Sequence, residues 1–384
     1  MRVRVVVCVS IVCLLAPCAA RAQDDPSPWM LMSDGLLFAT ANHQGGPRGG
    51  DEFISTNWWM GMANRSLGKG QLTMIGMLSL DAATATARGY RELFQSGEVY
   101  KGEPIVDRQH PHDLVMQAAV VWRVPIDYQT GFTIAGGPIG EPALGPVAFM
   151  HRPSAAENPA APLAHHTLDS THIAMGVVTA ALDHGPFTIE TSLFNGREPD
   201  DNRWDVMDPG ALDSWSVREW YEPSPAWQFQ ISYGYLKEPE AAEPGDIKRT
   251  TGSGSWFGRR PDGFTAVTVA VGRNDTDHGT FSSVLAEATD RRGNTSTYGR
   301  LEVAQKETLP SAVTALTLGA VRDVVKWNGF EIGLGGDVTG YLVPAAAQAS
   351  YGSHPVSFHL FVRIRPPAGH MGRMWNMRMT KPMQ

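Results

Sequence analysis

The sequence predicts an all-β chain, a transmembrane antiparallel β-barrel of about 16 strands with short periplasmic turns and long extracellular loops. Three observations carry this. Apolar and polar residues alternate with period two along most of the 384 residues. Short and long connections alternate between the segments of strand length. Beyond the N-terminus no continuous apolar stretch is long enough for a membrane-crossing helix, which needs about 20 residues.

The alternation is clearest at 227–235. Trp227, Phe229, Ile231, Tyr233 and Tyr235 fall on one face and Gln228, Gln230, Ser232 and Gly234 on the other. Successive side chains of a strand point to opposite faces, so this is a strand with one apolar side. Pro223-Ser224-Pro225 separates it from the preceding segment as a tight hairpin. The same unit recurs near 33–43, 53–66, 71–82, 113–124, 131–139, 172–182, 187–197 and 214–222, and again near 247–257, 264–274, 281–290, 296–306, 312–323, 330–342 and 357–365. A tilted strand crosses a bilayer in about 9–11 residues, and most of these segments reach that length. Leu72, Met74, Leu78 and Leu80 oppose Gln71, Thr73, Ser79 and Asp81; Leu334, Val338 and Leu342 oppose Glu331, Asp337 and Thr339; Phe358, Leu360, Val362 and Ile364 oppose Ser357, His359, Arg363 and Arg365. With no helix to cover the apolar faces, they are expected to meet lipid and the polar faces a lumen.

Short connections follow every second strand, as at 68–70, 183–186, 223–225 and 326–329, while 44–52, 83–112, 140–171, 198–213, 238–246 and 343–356 are longer. Trp58, Trp122, Trp215, Tyr221, Trp227, Tyr235, Trp256 and Trp327 lie near strand ends and suit interfacial girdles.

The N-terminus fits export. Arg2 and Arg4 precede the apolar stretch Val5 to Leu15, and Ala20-Arg21-Ala22 offers a cleavage site. Residues 1–22 are read as a signal peptide, 23–366 as the barrel and 367–384 as a Met-rich tail. Leu15-Ala16-Pro17-Cys18 approaches a lipoprotein pattern, but Pro17 fits it poorly. Cys8, Cys13 and Cys18 all fall in the signal, so the mature chain has no disulfide or thiol chemistry. Loss of its three arginines takes the net charge from −7 to −10, 29 basic against 39 acidic residues. An acidic exported chain is a poor nucleic-acid binder.

These features together resemble a Gram-negative outer-membrane β-barrel of the general porin type, over about residues 30–366. The resemblance implies a place in the cell outer membrane, lipid around the barrel, and small polar solutes or ions as cargo. Such barrels often fold the loop between strands five and six into the lumen, here 140–171. They commonly end on an aromatic residue, whereas here the last strand ends near Arg365 and a tail follows.

The expected lumen face carries Arg65, Arg123, Arg218, Arg300, Arg322 and Arg363 against Asp81, Glu190, Glu219, Glu287, Glu302, Glu331 and Asp337. Two opposed walls would orient solutes; paired charges would instead fill the lumen as a structural network.

A second reading is a barrel that handles metal. Six of the twelve histidines lie between 110 and 172. His110 and His112 share a face of an extended chain, and with His151, His165 and His166 they offer imidazoles to a copper or zinc ion. The tail adds Met371, Met374, Met377, Met379 and Met383, thioethers suited to Cu(I). Its plainer reading is a disordered tail without function; separately, Trp375 offers a group that docks on the periplasmic rim. A third reading, an enzyme, has little support: there is no Gly-x-Ser-x-Gly, phosphate loop or His-Glu-x-x-His.

Overall fold

The computed structural model describes residues 29–242, 244–367 and 374–382. Residues 1–28, which include the segment read as a signal peptide and its three cysteines, lie outside the described residues, as do His370, Met371 and Met383. The first strands are β1 (Met30–Gln44), β2 (Gly50–Leu67) and β3 (Gly70–Leu78). A separate hairpin follows, β4 (Tyr90–Tyr100) and β5 (Glu103–Gln109). Then come β6 (Val115–Pro125), β7 (Thr130–Gly140), β8 (Ala174–His184), β9 (Phe187–Asn195), β10 (Ser214–Ser224), β11 (Trp227–Leu236) and β12 (Ile247–Arg260). The last are β13 (Gly263–Thr276), β14 (Gly279–Arg292), β15 (Thr295–Ala304), β16 (Val313–Trp327), β17 (Phe330–Leu342) and β18 (Val356–Arg365).

All but β4 and β5 close into one antiparallel barrel of sixteen strands, each paired with its neighbour in the chain, β3 passing directly to β6. Closure brings β1 against β18, with Leu37 opposite Ile364 and His43 opposite Phe358. The barrel itself has no free sheet edge. One end carries tight turns. At Asn328-Gly329 both residues have positive φ, 48° and 81°, the pair of angles a two-residue type I′ hairpin requires. The other end carries the longer connections.

The period-two pattern maps onto two environments. Leu334 is 54% exposed on the outside, and Asp337 is 5% exposed on the inside of the same strand. Met74, Leu78, Ile231, Leu318, Val338 and Leu360 are likewise exposed. A monomer in water rarely carries so continuous an apolar surface. It is the surface a strand presents to hydrocarbon. Among the described residues no helix is long and apolar enough to cross a membrane.

Four expectations need correction. Strand β3 stops at Leu78, because Asp81–Thr84 turn into a single helical turn. The long 83–112 connection contains the β4–β5 hairpin, whose register shifts twice and so shows no clean alternation. Trp58 belongs to no girdle: it shares the parity of Met60 and Met62 and packs into the interior against His151. Arg65, Arg322 and Glu219 face outward. Arg322 pairs across from Leu334 and follows Leu316 and Leu318 in parity, leaving Asp323 inside. Arg65 stands opposite Leu72 with its guanidinium over the Trp29 ring. Glu219 is exposed between the inward Arg218 and Trp220.

Candidate functional site

The lumen holds the functional groups, and the connection between β7 and β8 fills much of it. Apart from Phe149, Ala156, Ala160, Ser170 and His172, every residue from Glu141 to Ile173 is buried. Pro142, Pro146, Pro153, Pro159 and Pro162 keep this segment from joining a ladder. Its buried backbone groups must therefore find partners elsewhere, and the barrel wall supplies them.

Near its start, Ala143 N donates to Ser192 Oγ on β9 at 2.8 Å and Gly145 N to Ser232 Oγ on β11 at 2.9 Å. On the far side, Ser154 Oγ donates to Thr268 Oγ1 on β13 at 2.8 Å, and Ser296 Oγ on β15 to Glu157 at 2.9 Å. The return leg takes a hydrogen bond from Arg300 Nη1 to the Ala160 carbonyl at 3.0 Å, and Ala164 N donates to Glu302 at 3.0 Å. The segment thus crosses the lumen and comes back.

This arrangement decides between the two readings of the inward charges. Arg218 pairs with Glu190 at 2.7 Å and Glu141 at 3.2 Å, and Arg300 with Glu287 at 3.2 Å. Arg363 pairs with Glu157 and Asp323; Arg365 joins Glu157 at 3.1 Å and Glu331 at 3.4 Å. Asp337 accepts from Tyr298 at 2.8 Å and lies 2.7 Å from His359 Nδ1. The charges form a paired network between wall and inserted segment rather than two opposed walls. Arg123 is different: it sits half-exposed at the short-turn end, paired with Asp183 at 2.6 Å.

The tail also enters the lumen, from the short-turn end. Arg378 is buried, with its guanidinium 4.3 Å from the Trp220 ring centroid, and it pairs with Glu190 at 3.3 Å and Glu222 at 3.1 Å. Asn376 N donates to the His151 carbonyl at 2.8 Å. Met374, Met377 and Met379 join an apolar cluster with Met60, Met62, Met77 and Met116. The described part of the tail is thus packed rather than disordered, and Trp375 sits inside against Phe257 and Phe264. A cavity of about 350 Å³ remains beside it, lined by Gln71, Thr73, Arg123, Asp183, Glu222 and Lys381 among others.

At the long-loop end the structure gathers histidines from two connections. His110 stands 6.5 Å from His112, 6.3 Å from His165 and 5.8 Å from His166, ring centroid to centroid. His172 joins them, 5.7 Å from His112 and 5.2 Å from His165. His151 stays apart, against Trp58. Carboxylates anchor the rings: Asp81 Oδ2 lies 2.7 Å from His112 Nδ1, and Asp169 Oδ1 2.8 Å from His165 Nδ1. Burial lowers His110, His172 and His165, the last to about 4. Burial would lower His166 as well, but Glu198 and Glu240 outweigh it and push the imidazole up to about 9. Sequence reasoning missed these two glutamates, together with Glu157, Asp169 and the buried pair of Glu98 with Arg203. They lie scattered over several connections, and only the closed barrel sets each against its partner.

No protein-family model matches the chain, and no curated protein matches it. Solved structures do. An anion-selective porin from Comamonas acidovorans superposes with a TM-score of 0.56 at 11% identity, over 88% of this chain and 99% of that one. OprB of Pseudomonas putida, in its high-pH structure, gives 0.52 at 7% identity, over 88% and 94%. A loop-deleted form of OmpT, an outer-membrane protein of Vibrio cholerae, gives 0.51 at 10% identity, over 88% and 100%. At such identities the likeness establishes the fold: a closed sixteen-stranded barrel of the general porin type.

Proposed function

We propose that the chain is an outer-membrane channel that passes small polar solutes or ions through a lumen narrowed by residues 141–173, and not an enzyme. Residues 1–22 direct its export, 23–366 form the barrel, and 367–384 are a Met-rich tail whose described residues 374–382 enter the lumen from the periplasmic end. The short turns then face the periplasm and the long connections the exterior. The inserted segment carries this reading. It is held to the wall through polar contacts along its length, as in Ala143 to Ser192 and Ala164 to Glu302. Many of the groups that meet in the narrowed lumen are hydrogen-bonding ones, which a polar solute or hydrated ion can contact in place of water. A cavity lined by Arg123 and Asp183 gives polar solutes room at the short-turn end. The apolar outer surface supports residence in lipid.

The test is conductance in planar bilayers. Deleting 153–163 removes the far reach of the segment, while Arg363 keeps Asp323 and Arg365 keeps Glu331. The intact barrel should conduct in small discrete steps, and the deletion should raise the step size with folding intact, as read from heat-modifiable gel migration. Absence of conductance in both, with the barrel folded, defeats the reading.

A further inference from the structure

We infer that His166, Glu198 and Glu240 form a binding site for one divalent transition-metal ion of the zinc class, at the long-loop end of the lumen. Three segments converge there: the inserted segment, the β9–β10 connection and the β11–β12 connection. One ligand atom from each residue lies within 4.8 Å of the other two. His166 Nδ1 stands 3.3 Å from Glu198 Oε1 and 3.7 Å from Glu240 Oε1. Bonds of about 2.0–2.2 Å at tetrahedral angles place ligand atoms roughly 3.4 Å apart. The spacing is that of groups sharing one ion.

Two buried polar atoms at the site also lack a hydrogen bond. His166 Nδ1 and Glu198 Oε2 are buried and make no hydrogen bond, although carboxylates surround the ring nitrogen. Buried polar atoms are normally paired, and an orphan cluster calls for a partner. Two carboxylates and one imidazole form a borderline donor set, which suits zinc and its neighbours better than hard cations or Cu(I).

The surroundings hold the site in place. The β9–β10 and β11–β12 connections are tied where Glu198 N donates to the Pro239 carbonyl at 2.9 Å. Asn274 Nδ2 donates to the His166 carbonyl at 3.2 Å. Gly97, at φ 141°, lies against the imidazole, where a Cβ would come within 2.4 Å of the ring. Of the histidines singled out by the sequence, only His166 belongs to this ligand set; His110, His112, His165 and His172 lie beyond it.

The inference is independent of the channel reading, because its test measures no conductance. Purified, chelator-stripped barrel in detergent is titrated with Zn²⁺ alone by calorimetry. One ion should bind per chain at micromolar concentration or below. Glu198→Gln and Glu240→Gln preserve side-chain shape and should each weaken binding at least about tenfold, with heat-modifiable migration unchanged. His112→Ala should leave it unchanged. X-ray absorption at the zinc edge should report nitrogen and oxygen ligands with the scattering of a single imidazole. No binding to the intact barrel, binding that survives both glutamine variants, or binding lost in His112→Ala would each overturn the site.

Discussion

Arg152, carried by the segment that enters the lumen, donates from Nε to Glu287 Oε1 on β14 at 2.7 Å, and from Nη1 to Asp169 Oδ2 at 2.6 Å. All three side chains are buried. One guanidinium therefore ties the inserted segment both to the far wall and to its own return leg. Removing one member of a buried pair typically costs about 3–5 kcal/mol, because the remaining charge is uncompensated. Glu287 would retain Arg300, so the low end of that range applies. Arg152→Ala should lower the denaturation midpoint of the barrel, read as loss of the heat-modifiable form. Arg152→Lys should recover less than half, since a point charge cannot serve both carboxylates in this geometry. An unchanged midpoint in Arg152→Ala would mean the segment is held by its other contacts.

The wall offers a paired test. Leu334 and Arg322 face each other across β17 and β16 on the outer surface. Leu334→Arg should destabilise assembly by about 2–4 kcal/mol if the position lies near the bilayer midplane. Arg322→Leu should be neutral or stabilising, because it exchanges a cation at the same depth as Leu334 for an apolar group on a lipid-facing surface. Comparable damage from both would return Arg322 to the lumen.

That pair also shows where the sequence was legible. Lipid imposes an apolar residue at every second position, so Phe358 and Leu360 in β18 fix the phase of their strand without any tertiary information. Charge was the weaker guide. Charge alone places Arg65, Arg322 and Glu219 in the lumen, whereas parity with Leu316 and Leu318 puts Arg322 outside. Charged groups are costly at the midplane and cheap toward the interface. The site was legible only in part. His110 and His112 announce themselves by spacing, and the 140–171 loop by length and proline content. Glu198 and Glu240 look like ordinary loop acids until the barrel closes. The tail methionines gave no sign of insertion, because their irregular spacing matches neither a strand nor a helix.

His151 gives a pH dependence with a clear sign. Burial holds its imidazole down at about 4, against an ordinary value of about 6.5. Its ring Nδ1 has no partner. The unfolded chain takes up this proton first, so the contribution is complete above pH 6.5 and is lost as pH falls from there toward 4. At about 1.4 kcal/mol per unit, the full loss is about 3 kcal/mol. His151→Gln, which stays neutral, should flatten that part of the stability profile relative to the unmodified chain. Parallel profiles for the two proteins would mean that His151 is protonated in the folded barrel.

The described part of the tail occupies the lumen. Its anchors are of two kinds: Arg378 against Glu190, Glu222 and the Trp220 ring, and Trp375 with Met374, Met377 and Met379 in apolar packing. A chain ending at Pro367 loses both and should conduct more than the intact barrel. Arg378→Ala removes only the ionic anchor. Glu222 then keeps Lys381 at 2.7 Å and Glu190 keeps Arg218, so the variant should fold and show intermediate, noisier conductance. Arg378 and Trp375 are anchored toward the short-turn end, while Met377 and Met379 reach deeper, to Met116 and Gly140, so a synthetic peptide of residues 368–384 should block the truncated barrel only from the short-turn side, where the tail enters. Block from both sides would mean non-specific adsorption. Unchanged conductance after truncation would mean that the inserted segment alone sets the pore.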